Sequence, residues 1–143
     1  GTDIDEKKAF ELYQKSADLG NAGGINNLGN CYKKGIGTDI DVKKAFELYQ
    51  KSADLGNAYG MNNLGNCYEK GIGTDIDEKK AFELFQKSAD LGNISIAQYN
   101  LAFMYENGEV IVKDINQAIY WYKQSALQGN QNAQNRLEQI HAK

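Results

Sequence analysis

The sequence predicts an all-α solenoid of about four stacked helix pairs, and three observations carry that prediction. The first is an internal repeat. Residues 1–36 return at 37–72 with four substitutions (Glu6/Val42, Gly23/Tyr59, Ile25/Met61 and Lys33/Glu69), so 32 of 36 positions are identical. The unit restarts at Gly73, gains one residue near Asn93–Ala97 and continues as a diverged copy. The equivalent alanines Ala9, Ala45, Ala81 and Ala118 are therefore spaced by 36, 36 and 37 residues. Second, each unit contains two differently patterned amphipathic stretches. Third, proline is absent from all 143 residues, while Gly and Asn punctuate the unit. Such a period marks a stack in which each unit buries its apolar face only against its neighbours. The chain reads as one array with units at 1–36, 37–72, 73–108 and 109–143.

In the first unit, Ala9, Phe10, Leu12, Tyr13, Ser16 and Ala17 fall at i, i+1, i+3, i+4, i+7 and i+8. That is a wide apolar or small-residue stripe at helical period. Asp5 is read as the N-cap of this helix and Gly20-Asn21 as its stop. The second helix carries Ile25, Leu28, Gly29 and Tyr32 on one face. A glycine inside a helix costs about 1 kcal/mol against alanine, so Gly29 is expected to admit a neighbouring helix at close range. Gly35-Ile36-Gly37-Thr38 then turns the chain into the next unit. Carried along the chain, this pattern gives eight helices at about 5–18, 22–34, 41–54, 58–70, 77–90, 94–107, 114–127 and 131–142. Asp114 with Gln117 three residues later fits a capping box. Tyr120-Trp121-Tyr122 on the seventh helix is read as packing. Gly1 opens in mid-repeat, so the chain reads as a fragment of a longer array. Its first helix has one unpaired flank, and Leu137 and Ile140 have no following helix to cover them. Weak head-to-tail self-association is the expected consequence.

Composition narrows the function classes. Apolar residues make up 41% and charged residues 24%, with a mean hydropathy of −0.62, which fits a continuous core under a water-facing surface. No apolar run approaches the ~20 residues that span a bilayer, so membrane insertion is not expected. The net charge is −3 and Arg136 is the only arginine, which argues against a nucleic-acid track of clustered cations. His141, the only histidine, stands near the C-terminal end with no nucleophile pattern around it. No P-loop, dinucleotide fingerprint or metal-ligand spacing occurs. The pairs Asp3/Asp5, Asp39/Asp41 and Asp75/Asp77 lack the further ligands of a calcium loop and read as helix caps. A non-enzymatic chain without cofactor is expected. Asn93-Ile-Ser95 is a formal glycosylation sequon that matters only in the secretory pathway. Cys31 and Cys67 occupy one position in successive units. Stacked helices stand roughly 8–10 Å apart, whereas a disulfide needs Cα atoms within ~7 Å. Two free thiols and a reducing, cytoplasmic location are expected.

Leu28-Gly29-x-x-Tyr32-x-x-Gly35, Asp41-x-x-Lys44-Ala45 and Tyr49-x-x-Ser52-Ala53-x-x-Gly56 resemble the Sel-one-like repeat (SLR). The diverged copy is closer still, with Ala97-Gln-Tyr-Asn-Leu101-Ala-Phe-Met-Tyr105-Glu-Asn-Gly108 and Ala118-Ile-Tyr-Trp-Tyr122-Lys-Gln-Ser-Ala126-x-x-Gly129. This tetratricopeptide-like (TPR-like) resemblance covers essentially the whole chain. It implies a right-handed α/α superhelix serving as a protein-binding adaptor or scaffold. A structural or regulatory spacer in a multidomain, kinase-linked signalling protein is the alternative it leaves open. The sequence departs from the family pattern at Gly24 and Gly60, where alanine is usual and where Ala97 and Ala133 keep it. A cysteine-rich branch clips each helix pair with a disulfide and is linked to penicillin binding. No unit of this chain has more than one cysteine, where such a clip needs two, which leaves a hydrolase of that type a remote alternative.

Candidate binding residues lie on the Asn-rich helix. Asn26, Asn30 and Lys33 fall at i, i+4 and i+7, away from the Ile25/Leu28/Tyr32 face, with Asn27 and Lys34 flanking them. Their counterparts are Asn62, Asn63, Asn66, Glu69 and Lys70. The resemblance implies that this helix lines a concave groove. It also implies that an Asn on either side of the Leu-Gly pair (Asn27/Asn30, Asn63/Asn66) contacts an extended peptide. An amide suits that task because it both donates and accepts. In the third copy Asn100 remains, while Tyr99 and Phe103 place an apolar pocket beside the polar track. Gly23/Tyr59 and Lys33/Glu69 are expected to face the groove. Two readings stay open for these residues: a peptide groove, or consensus filler on a solvated face.

Overall fold

The computed structural model describes residues 2–142, all in helices and short turns, with no strand among them. The eight helices are α1 (Thr2–Asp18), α2 (Ala22–Lys34), α3 (Val42–Asp54), α4 (Ala58–Lys70), α5 (Glu78–Gly92), α6 (Ser95–Asn107), α7 (Ile115–Leu127) and α8 (Gln131–His141). Each helix packs on the next, and α2 also reaches α4 across the stack. The result is an all-α repeat solenoid.

Local chemistry sets the helix ends. The side chains of Asp41, Asp77 and Asp114 accept from the backbone N–H of Lys44, Lys80 and Gln117. Asn21, Asn57 and Asn130 do the same for the helices that follow them. Each such cap satisfies one of the four orphan donors of a helix start. The structure corrects three expectations here. Asp5 is not an N-cap but lies inside α1. In later units a carbonyl of the preceding helix, Tyr32 or Tyr68, accepts from the cap residue's N–H and holds the chain out of helix. No described residue precedes α1 to do so. The Asp114–Gln117 capping box is formed only by half, because the Asp114 N–H donates to the Tyr105 carbonyl instead. Finally, α5 runs to Gly92, two residues beyond its expected end, and the inserted residue moves the left-handed turn onto Asn93 at φ 51°.

The core repeats with the sequence. Phe10, Phe46 and Phe82 meet Tyr32, Tyr68 and Tyr105 edge-on at 5.4–5.6 Å. Gly29 serves the purpose expected of it: a Cβ there would stand 2.8 Å from the Tyr49 ring, and one at Gly65 would stand 2.7 Å from the Phe85 ring. The small residue lets a ring of the next unit lie directly on the helix backbone. Buried serines tie successive units, with Ser52, Ser88 and Ser125 donating to the carbonyls of Ala22, Ala58 and Ser95. Leu12, expected in the core stripe, is 64% exposed. Its counterpart Leu84 packs on the Ala45/Tyr49/Leu64 cluster of the unit before it, and no described unit precedes Leu12. Trp121 packs among core residues of two units, and Leu137 and Ile140 lie partly buried on the Ala102/Ala118/Tyr122 cluster.

Cys31 and Cys67 are free thiols at 1% exposure. Burial pushes both thiols up, Cys67 to about 11 despite the pull of Lys33. The reactive thiolate is therefore scarce at neutral pH. Both should react with a thiol reagent far more slowly in the native chain than after unfolding. Labelling of either at the unfolded rate would show that α2 and α4 open freely.

Candidate functional site

The Asn-rich helices α2 and α4 place their polar stripes side by side. Between them opens a cleft of about 520 Å³, lined from α2 by Asn26, Asn27, Asn30, Lys33 and Lys34 and from α4 by Tyr59, Asn62, Asn63 and Asn66. Gly23, Asn57 and Ile96 complete its rim. The structure thus brings together nine of the fourteen residues singled out from the sequence. Tyr59 is well exposed, as expected for a residue facing a groove.

The cleft amides are not equivalent. Asn26 and Asn62 are buried, at 6% and 3% exposure, and their side-chain oxygens accept from Asn63 and Asn100 of the next unit at 2.8 and 3.1 Å. They form a floor whose carbonyl ends are already used. Asn30 accepts from the hydroxyl of buried Tyr49 at 2.5 Å, leaving its NH₂ end available. At the next unit Phe85 stands where Tyr49 stood, and Asn66 keeps a free amide. Asn27, at the outer end of the ladder, is free as well. Sequence reading missed the link from ring to amide. The signal was the exchange of Tyr49 for Phe85 between helices that differ elsewhere over the matching residues only at Val42/Glu78.

The remaining five residues, Glu69, Lys70, Tyr99, Asn100 and Phe103, divide between two places. Glu69, Lys70 and Phe103 line a second hollow of about 340 Å³ with Glu78, Met104, Asn107, Glu109 and Val110. Burial pushes the Glu69 carboxyl up, Lys70 pulls it back and Glu78 adds to the rise. Tyr99 packs against Phe103 at 6.5 Å and Tyr122 at 5.6 Å, so it supports Phe103 from behind. Asn100 is committed to Asn62.

A further cluster escaped the sequence reading. Glu106 accepts from the Tyr122 hydroxyl at 2.7 Å and from Arg136 Nε at 2.8 and 3.0 Å, with Arg136 Nη2 also paired to it. This bonded group ties α6, α7 and α8. Glu106 stands where Lys33 and Glu69 stand in earlier units, so its position gave no hint of a structural role.

The Sel1 repeat model matches residues 1–21, 22–57, 58–93 and 95–130. The chain belongs to the Sel1 repeat family. After the first, shorter stretch, its matched units begin at α2, α4 and α6, another phase of the same period. Among solved structures it is similar to a protective antigen of uropathogenic Escherichia coli with an SLR fold (TM-score 0.84, 36% identity, 94% of this chain and 28% of the other). It is also similar to a Sel1 repeat protein from Oxalobacter formigenes (0.83, 29%, 92% and 54%). A third is Helicobacter pylori cysteine rich protein B (0.70, 25%, 96% and 98%). The chain thus spans 28% and 54% of the first two proteins' length. No curated protein sequence matches it. Sel1 repeats are protein-interaction modules, and the scaffold is generally non-catalytic.

Proposed function

We propose that this Sel1 repeat chain is a non-enzymatic scaffold that holds an extended partner segment in the cleft across α2 and α4, continuing toward α6. The observation that carries the reading is the free amide of Asn66, which shares the cleft with exposed Tyr59, while exposed Phe103 lines the next hollow along. An amide in that setting pairs with a peptide main chain whatever its sequence. The reading includes a cytoplasmic setting, in which Cys31 and Cys67 stay as thiols.

One observation favours the spacer reading instead. The Asn63–Asn26 and Asn100–Asn62 bonds give half of the ladder a structural task. Phe85→Tyr separates the two. The new hydroxyl would meet Asn66 as Tyr49 meets Asn30, adding one hydrogen bond worth about 1 kcal/mol. A spacer gains stability and nothing else changes. A groove gains the same stability but loses affinity for a partner captured from the native source, because Asn66 is then occupied. Unchanged affinity in the stabilised variant would remove the role given to Asn66.

A further inference from the structure

Because the units are nearly identical, the positions at which they differ mark what each stretch of the groove is built to meet. Two of these, Lys33/Glu69 and Val42/Glu78, share one wall. At the α4–α6 end, Glu69, Glu78 and Glu109 surround the second hollow, with Lys70 the one cation among its lining residues. Its apolar surface is exposed Phe103 and Val110 over buried Met104. One unit earlier, offsets of 36 and 37 residues put Lys33 at the place of Glu69, Val42 at that of Glu78 and Asn66 at that of Phe103. That earlier stretch presents Lys33 and Lys34 to the cleft and no carboxylate. The groove therefore changes sign along its length. Its acidic end is also the one with an apolar surface to cover.

Building on the groove reading, we propose that the hollow between α4, α5 and α6 takes an arginine or lysine of the partner segment beside an apolar residue. An acidic residue of the same segment then lies one unit away, over Lys33 and Lys34. The chemistry of the hollow favours this occupant. Half-buried Glu69 feels a second carboxylate, Glu78, and with Glu109 the lining sets three carboxylates against the single cation Lys70. An incoming cation supplies the missing counter-charge, its methylene stem covers Val110, and its head meets the Phe103 face. Neighbouring units stand about 8–10 Å apart and an extended chain rises about 3.3 Å per residue, so the two charged residues should be separated by about three positions.

The test uses the ¹⁵N-labelled chain and three peptides, acetyl-Ala-Ala-X-Leu-Ala-amide with X as arginine, glutamine or glutamate. The arginine peptide should bind about three- to fivefold more tightly than the glutamine peptide, the scale expected of partly exposed ion pairs. Its shifts should centre on Glu69, Glu78, Phe103 and Glu109, and the preference should fall as salt rises. Glu78→Lys with Glu109→Lys should turn the preference toward the glutamate peptide. If that pair of changes disturbs the helical spectrum, Glu109→Gln alone should narrow the preference. Equal binding of all three peptides would overturn the charge assignment and leave the amide groove standing. Shifts located elsewhere, a preference that survives charge reversal, or no binding at millimolar peptide would overturn it as well. In those cases the partner affinity of Asn66 variants still judges the groove separately.

Discussion

Phe85→Ala should lower the stability of the chain by about 3–5 kcal/mol, the range for removing a large buried ring. The upper half is expected because the site cannot collapse. Phe85 is fully buried among Ala81, Ala89, Ile94, Ala97, Leu101 and Met104, and its other side rests on the backbone at Gly65. Helix backbone does not move into a void as a side chain does, and the Ser88–Ala58 bond holds α5 in register on α4. The loss should also change the shape of unfolding. In a solenoid, each unit is held only by its neighbours, so weakening the α4–α5 junction uncouples the two halves of the array. Denaturant curves should show an earlier midpoint with a shallower slope, because less surface unfolds in the first step. A loss below about 1 kcal/mol with an unchanged slope would mean that Gly65 and Phe85 do not form the junction described.

Most of this fold was legible because the repeat displays each signal several times. The Asp and Asn caps, the Gly-rich turns and the Ala/Phe/Tyr stripe are local rules, and local rules survive without knowledge of neighbours. Errors arose where a feature depends on the unit before it. Asp5 has the same sequence context as Asp77, yet caps nothing, because the carbonyl that pins the later turns belongs to a preceding helix. Leu12 and Leu84 are likewise one residue type at one position with different exposure. The site was half legible. Periodicity could place the asparagines on one stripe, but it could not say which amides are consumed. Asn62 and Asn66 look alike in sequence. One is buried and bonded to the next unit, the other half-buried with its amide unbonded, and the difference lies in the register between helices and in the single oxygen absent from Phe85.

That asymmetry directs the second large effect. Phe103→Ala should weaken a groove-bound partner by about 2 kcal/mol, close to thirtyfold, as for an aromatic anchor at the centre of an interface. Asn66→Ala should cost about 1 kcal/mol, the worth of one hydrogen bond exchanged with water. Neither should cost much stability. Phe103 is 44% exposed, and Asn66 has no side-chain partner to lose. Asn30→Ala differs, since it strands the buried Tyr49 hydroxyl and should lower affinity and stability together. Asn66 and Phe103 occupy equivalent positions in adjacent units, so the double variant should depart from additivity if one segment bridges them. Calorimetric titration of a captured partner against the four proteins would measure this coupling. Additive, near-zero effects at Asn66 and Phe103, with both variants folded, would move the binding surface off this face of the solenoid.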